Sequence, residues 1–522
     1  MILLSARDLS RQFGAQPVFR HVEFDVRAGE KIGLVGPNGS GKTTLLNILA
    51  GRDDADEGAV ELRPSCDIVL LEQQPDFPPG QTLIDEARLG LDHLYRLQRE
   101  AVELAELIAN ETEGDDLRRH QRRYDQIQHE LERHDAYHVE HRVEEVLTGL
   151  GFAEQDYGRP LVQFSGGQQN RALLARMLLH EPDLMLLDEP TNHLDISATE
   201  WLEGYLLKSR QAMLVVSHDR YFLDRVTNRT LEIVQGKVTS YSGNFSAYRK
   251  QREERDKVLR RTYERQQEFV AKTEDFIRRN KYGQKSNQAH DREKKLSRLE
   301  EVERPREEAA PAMHFGEAAR AGDWVIDAVG LWKGFGTPLI CDFTLRIARG
   351  DRVGILGPNG SGKTTLLRTL IGDLQPDRGS VRLGTGVEIG YFDQQLNSVP
   401  ADATAIDAVR PPGDMSFTPA VARHHLARFG VRGETALQTV AQMSGGEKSK
   451  VALARLAALD VNLLVLDEPT NHLDLWARES LEEALKEFEG TLLFVSHDRY
   501  FIDRVAEHVI VLEDDGWRYH AG

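Results

Sequence analysis

Cysteine is nearly absent: Cys66 and Cys341 are the only two in 522 residues. Two thiols so far apart exclude a disulfide framework and an iron–sulfur ligand set, and fit incidental thiols in a reducing cytosol. Long apolar runs are missing as well. No stretch approaches the ~18 apolar residues of a membrane helix, and Arg7, Asp8 and Arg11 break the apolar start that a secretory signal needs. The net charge is −18, which argues against a surface wrapped all round with nucleic acid. The chain is too long for one hydrophobic core and fits two domains of about 200 residues plus connecting material.

What the chain does contain, it contains twice. Gly36-Pro37-Asn38-Gly39-Ser40-Gly41-Lys42-Thr43, followed by Thr44, returns as Gly357-Pro358-Asn359-Gly360-Ser361-Gly362-Lys363-Thr364, followed by Thr365. Glycines in such a loop let successive backbone N–H groups turn inward as an anion nest, and the next helix adds its positive N-terminus. Lys42 and Lys363 are then placed to reach β- and γ-phosphates, and the hydroxyls of Thr43 and Thr364 to coordinate Mg²⁺. Both loops follow strand-like runs, Lys31 to Val35 and Arg352 to Leu356, and open helix-like runs, which is the context a phosphate loop requires. The pattern predicts a tandem α/β ATPase without a membrane span.

The copies keep register. Gly36 recurs 321 positions on at Gly357 and Gln73 at Gln394, whereas Ser165, Asp188 and His218 recur 279 positions on at Ser444, Asp467 and His497. The first copy therefore carries 42 extra residues, placed between about 88 and 140. Leu94, Leu97, Leu104 and Leu107 predict one helix there, with a turn at Glu113-Gly114-Asp115 and a second helix from Asp116. Arg118, Arg119, Arg122 and Arg123 form a basic patch, yet acidic residues outnumber basic ones across this arm, so a protein contact is as good a reading as a nucleic acid. His134, His138 and His141 have no matching carboxylates, and no metal role is assigned to them.

A second distinctive segment separates the copies. Arg249 to Arg306 holds 19 Lys/Arg against 12 Asp/Glu, a local charge of +7 in an acidic chain. Leu259, Tyr263, Val270 and Ile277 recur at helical spacing, which predicts two long antiparallel helices turning near 281–285. Around that turn Arg278, Arg279, Lys281, Lys285, Arg292, Lys294, Lys295 and Arg298 meet only Asp291 and Glu293 as opposing charges in this reading. A phosphate backbone suits such a tip. Composition alone fits a solvated charged linker equally well, and the basic bias inside an acidic protein favours RNA. The predicted division is 1–243, 244–314 and 315–522.

Downstream motifs make the chemistry specific. Phe164-Ser165-Gly166-Gly167-Gln168 precedes the apolar run Leu184 to Leu187 ending in Asp188-Glu189; then come Asn192-His193-Leu194-Asp195 and Ser217-His218-Asp219. The second copy repeats them as Met443-Ser444-Gly445-Gly446-Glu447, Asp467-Glu468, Asn471-His472-Leu473-Asp474 and Ser496-His497-Asp498. These resemble the signature, Walker B, D-loop and switch-histidine motifs of the ABC ATPase superfamily.

The resemblance implies that Asp188 and Asp467 hold Mg²⁺ and that Glu189 and Glu468 polarise the attacking water. It further implies that His218 and His497 contact the γ-phosphate, that Gln73 and Gln394 sense Mg²⁺ and water, and that Phe13 and Phe335 stack on adenine. In that superfamily the signature completes the site of the opposing copy. Lys42 would then share a site with Ser444, and Lys363 with Ser165, so that ATP closes the two copies face to face within one monomer.

Two cassettes without membrane domains, an arm in the first, a charged two-helix linker and Asp-Glu-Pro-Thr-Asn-His-Leu-Asp in both copies resemble the ABC-F proteins. That resemblance implies a cytoplasmic translation factor, with the linker tip reaching ribosomal RNA and tRNA near the peptidyl-transferase region. An antibiotic-resistance ribosome-protection protein or a DNA-associated ABC ATPase are alternatives, and a transporter ATPase subunit fits least. Gly522 aligns with Gly243, so no C-terminal coiled coil of the DNA-associated kind is expected.

Overall fold

The computed structural model describes residues 1–14, 16–71, 77–110, 114–133, 138–192, 194–280, 282, 285–299, 311–316, 318–396, 399–411, 413, 416–513 and 516–521. Gln73, Lys281, His134 and the predicted turns around 113 and 283–284 lie outside the described residues.

Each copy is an α/β unit built on a six-stranded sheet. In the first the order is Ile68–Leu70, Leu184–Asp188, Ala212–Val216, Lys31–Val35, Arg229–Val234, Lys237–Ser242; all neighbours run parallel except the last pair. The second repeats it with Ile389–Phe392, Leu463–Asp467, Thr491–Val495, Arg352–Leu356, His508–Glu513 and Gly516–Ala521. Central strands read as unbroken apolar runs because both faces are covered, one by helices and the other by the phosphate-loop helix and a three-stranded sheet, and Leu184–Asp188 and Leu463–Asp467 are buried at every position. The aspartate that ends each strand therefore emerges at the carboxyl edge of the sheet, where open α/β sheets bind ligands. A three-stranded antiparallel sheet leans on each unit, Ile2–Phe13 between Gln16–Arg27 and Glu57–Leu62 in the first, and Trp324–Phe335 between Thr337–Ala348 and Arg378–Leu383 in the second.

The extra residues of the first copy form helices Asp92–Asn110 and Asp115–Arg133, packed together through Leu94, Ala101, Leu104, Ile127 and Leu131. Arg123 pairs with Glu100 across this hairpin at 2.7 Å. Among the described residues no group of histidines and carboxylates has metal-binding geometry, and no helix is long and apolar enough to cross a membrane.

Between the copies a 36-residue helix, Phe245–Asn280, leads to a short one, Ser286–Leu296. The second helix is shorter than the sequence pattern predicts; it ends at Leu296 and the chain turns at Ser297-Arg298. Of the predicted apolar face, Tyr263, Val270 and Ile277 are half-buried whereas Leu259 is exposed. The tip charges also need a correction. Asp275 pairs with both Arg278 and Arg279 at 2.7 Å, an opposing carboxylate one helical turn back that a scan around the turn alone overlooks. Arg292 lies over the Phe276 ring at 3.8 Å and ties the two helices. Lys285, Lys294, Lys295 and Arg298 are exposed.

Candidate active site

Each phosphate loop joins the fourth strand of its sheet to a helix, Lys42–Leu49 or Lys363–Leu370. Gly41 and Gly362 cap these helices at φ 93, a left-handed conformation that glycine adopts without strain. At Gly41 a Cβ would also meet Val18 at 2.3 Å. Lys42 Nζ donates to the carbonyls of Gly36 and Pro37 at 2.8 and 2.9 Å, and Lys363 does the same with Gly357 and Pro358. Both ammonium groups are thus folded over the cradle their own backbones make. Burial lowers the pKa of each lysine, with Glu189 and Glu468 respectively acting in the opposite direction.

At the edge of each sheet the aspartate meets the loop threonine. Thr43 Oγ1 donates to Asp188 Oδ2 at 2.7 Å, and Thr364 faces Asp467. The next residue, Glu189 or Glu468, sits at φ 53 or 51. A left-handed glutamate is a strained choice that the surrounding structure has to enforce. Its backbone is held by the neighbouring strand, Glu189 N donating to the Val216 carbonyl at 2.9 Å and Glu468 N to that of Val495 at 3.0 Å. Its carboxylate is held by the loop that follows, the backbone N–H of His218 donating to Glu189 Oε2 at 3.2 Å and that of His497 to Glu468 Oε2 at 3.3 Å. The imidazole Nε2 atoms approach the other carboxylate oxygen at 3.3 and 3.4 Å. Burial pushes both glutamates up to about 7, holds His218 well below its ordinary range and lowers His497 to about 4. The histidines are therefore neutral at pH 7, each a donor at one ring nitrogen and an acceptor at the other.

Residues far apart in sequence meet across the two copies. A cleft of about 1000 Å³ is lined by Ser165, Gly167, Gln168 and Asp195 from the first copy and by Asn359, Lys363, Thr364, Gln394, Asp467, Glu468 and His497 from the second. Asn359 N donates to Asp195 Oδ2 at 3.2 Å. On the other side Asn38 N faces Asp474 Oδ2 at 3.5 Å, and Asn38 Nδ2 donates to the His472 carbonyl at 3.1 Å. The structure thus brings Lys363 toward Ser165, and the Lys42 loop toward the D-loop Asp474 and, with Asn38 against Gly446, toward the signature that begins at Ser444. Ser165 and Ser444 cap helices Gly166–His180 and Gly445–Ala457, so each signature presents a helix N-terminus to the opposing phosphate loop.

Ser40 Oγ, Ser361 Oγ, Glu189 Oε1 and Glu468 Oε1 are buried without a hydrogen-bond partner among the described residues. A triphosphate with a hydrated divalent cation fits this set, with hydroxyl donors for phosphate oxygens and carboxylates for the cation's waters. Phe13 and Phe335, at the ends of strands Ile2–Phe13 and Trp324–Phe335, are 57% and 66% exposed, so neither is a core residue. Arg11 lies over the first ring and Lys333 over the second.

The two signatures differ at two positions, Phe164 against Met443 and Gln168 against Glu447, and the second changes the charge. The Gln168 side chain accepts from Ser165 N, whereas Glu447 Oε2 accepts from both the N–H and the hydroxyl of Ser444. A carboxylate there repels phosphate oxygens and occupies the serine proton. Glu447→Gln is expected to tighten ATP binding about threefold, the scale of one half-exposed charge; a fluorescent ATP analogue titrated into both proteins measures it.

Sequence reasoning missed the charges that lock the copies together. Arg220, next to the switch motif, donates to Glu482 at 2.9 and 3.2 Å, with both side chains almost fully buried. Its counterpart Arg499 pairs with Glu203. Arg504 and Arg225 add a second guanidinium to Glu482 and Glu203, each at 2.9 Å. Tyr221 and Tyr500 pack on each other at 5.6 Å between the two pairs. Arg478 also crosses the seam, donating to the His218 carbonyl at 3.1 Å while pairing with Asp498 at 3.1 Å. A signal for the first set exists in the sequence: Arg220, Glu203 and Arg225 all recur 279 positions on.

Comparison with known proteins agrees with this geometry. The ABC transporter family model matches residues 19–192 and 340–471, and a second model with the same description matches 231–315. The chain is 36% identical over 97% of its length to an uncharacterized ABC transporter ATP-binding protein, YfmM of Bacillus subtilis, of which 97% is covered. It is 34% identical to the energy-dependent translational throttle protein EttA of Mycobacterium tuberculosis, covering 98% of this chain and 92% of that one. ABC transporter F family member 2 of Arabidopsis thaliana is 35% identical, with 99% and 77% covered. Among solved structures, the archaeal ribosome recycling factor in complex with the stalk protein aP1 superposes with a TM-score of 0.63 at 20% identity, covering 98% of this chain and 89% of that one, a likeness of fold. With paired nucleotide-binding cassettes along its length and these relatives, the chain is an ATPase and belongs to the ABC-F family.

Proposed function

We propose that this ATPase is a ribosome-associated translation factor whose cassettes close on two ATP molecules and reopen on hydrolysis. The observation that carries the reading is the pairing of each phosphate loop with the opposing copy's D-loop, while a basic helical hairpin projects from between the copies. In each cleft Lys42 or Lys363 leaves its loop carbonyls for the β- and γ-phosphates. The opposing Ser444 or Ser165 helix offers N–H groups to the γ-phosphate. Glu189 or Glu468, held by the switch-histidine N–H, accepts a proton from the attacking water, and the neutral histidine donates toward the γ-phosphate. Thr43 with Asp188, Thr364 with Asp467, and the glutamines Gln73 and Gln394 would hold Mg²⁺. When bound, that ion offsets the charge of the triphosphate oxygens. Phe13 and Phe335 supply adenine platforms.

The functional division is a first cassette 1–243 with its arm, a linker 244–314 and a second cassette 315–522. Lys285, Lys294, Lys295 and Arg298 present exposed charge to an RNA backbone, Arg278 and Arg279 exchange Asp275 for phosphate, and Arg292 and Lys281 complete the tip. A relative matched over 92% of its own length bears the name translational throttle, which supports a ribosomal RNA and tRNA partner in the cytoplasm.

Reversing three exposed charges, Lys294→Glu with Lys295→Glu and Arg298→Glu, tests it. The log–log salt slope of ribosomal RNA binding should fall by about two, at roughly 0.7 for each phosphate no longer neutralised. ATP hydrolysis without ribosomes should stay within about twofold of the parent's, since these side chains lie outside both clefts. An unchanged slope would sink the RNA role of the tip.

A further inference from the structure

The two clefts are related by an internal repeat, yet among the described residues the root of the linker packs against the D-loop helix of one cassette and not of the other. Its root, Phe245 and Tyr248, is buried in the core of the first cassette, and so is Leu475 of the second. Leu475 opens the helix Leu475–Glu487, directly after the D-loop Asp474. From that helix Trp476 lies under the Arg252 guanidinium at 5.2 Å, and Glu479 pairs with Arg249 at 3.1 Å. The root is fixed in turn to its own cassette, because Tyr248 donates to Glu232 at 2.7 Å and Arg252 pairs with the same carboxylate at 3.1 Å.

The same helix also reaches the Lys42 cleft. Asp474 caps the helix by accepting from Ala477 N with one oxygen and faces Asn38 of the phosphate loop with the other. Arg478, one turn on, holds the carbonyl of His218 and pairs with Asp498, beside the switch histidine of the other cleft. One 13-residue helix with its cap therefore meets the phosphate loop, the switch histidine and the linker root at once. The corresponding helix of the first cassette, Ile196–Lys208, lacks the means: Ser197 and Thr199 stand where Trp476 and Arg478 do, Ile196 packs into the second core and Glu200 faces Arg499.

We infer that the nucleotide state of the Lys42 cleft, whose phosphate loop faces the helix Leu475–Glu487, is the main determinant of the linker's position, transmitted through that helix. When the Lys42 cleft opens, Asp474 and Arg478 withdraw from Asn38 and His218 as part of one rigid helix. Trp476 and Glu479 then leave the linker root. Trp476 acts as a positioning residue for the linker, not as a participant in hydrolysis.

The inference rests on the ATP-driven closure proposed above, and amide hydrogen exchange separates the two. Full-length Glu189→Gln and Glu468→Gln proteins are compared in Mg²⁺ and ATP, reading peptides of the linker root (245–256) and of both signature helices. Glu189→Gln keeps the Lys42 cleft loaded, so its linker root should exchange at least about fivefold more slowly than that of Glu468→Gln. Adding Trp476→Ala to Glu189→Gln should abolish that difference while the signature helices stay protected. Should Trp476→Ala fail to fold, Arg249→Glu should do the same and Glu479→Arg should restore it. Equal root exchange in the two single variants, with signature helices protected, overturns this inference alone. Signature helices unprotected by ATP in both overturn closure, and this inference with it.

Discussion

An Arg220→Ala protein is expected to fold normally, bind ATP and hydrolyse it at least about a hundredfold more slowly. The cause is a charge left behind. Arg220 and Glu482 are exposed by 2% and 0% in the closed arrangement, so removing the guanidinium strands a buried carboxylate beside Arg504 alone. Breaking one partner of a buried pair costs roughly 3–5 kcal/mol. The penalty falls on closure and not on folding, because separating the cassettes readmits water to Glu482. At 1.4 kcal/mol per tenfold, closure loses about two to three and a half orders of magnitude, and only the closed form brings signature to phosphate loop. Steady-state hydrolysis with a thermal melt checks both halves of the statement. Replacing both partners, Arg220→Met with Glu482→Leu, should recover much of the loss, since apolar residues of similar volume substitute well for a buried pair. A double variant as slow as the product of its singles would contradict the argument.

The second large effect is chemical. Glu189→Gln with Glu468→Gln should lower hydrolysis about 10²- to 10⁴-fold, the usual span for loss of a positioned general base. Glutamine keeps the shape of the side chain and the oxygen that accepts from His218 N or His497 N, so ATP affinity should hold and the closed state should accumulate. Single variants should differ less from the parent than the double one. Nucleotide retained after rapid gel filtration measures this; a double variant that neither hydrolyses nor retains ATP would show the glutamates to be structural.

Much of this arrangement is legible in the chain because each motif has a mechanism and returns at a constant offset. The phosphate loops, the aspartate-glutamate strand ends and the switch histidines can be placed on strands and helices, and their meeting across the copies follows from the superfamily resemblance. The remaining residues escape for different physical reasons. Arg220, Glu203 and Arg225 recur in register, but a charged residue on a helix reads as a solvated face until a partner from the other copy buries it. Arg478 and Trp476 have no counterpart, Thr199 and Ser197 standing in the first copy, so the repeat cannot flag them. Asp275 stays hidden beside Arg278 and Arg279 when the charge balance is taken around the turn instead of along the preceding helix, where residues three and four apart are neighbours.

The most direct test of the central claim is sedimentation of ribosomes with the Glu189→Gln, Glu468→Gln protein in ATP and in ADP. The account predicts co-sedimentation in ATP, and its loss in ADP or on reversing Lys294, Lys295 and Arg298. Absence of the protein from the ribosome pellet in both nucleotides, with ATP demonstrably retained in the clefts, would contradict it.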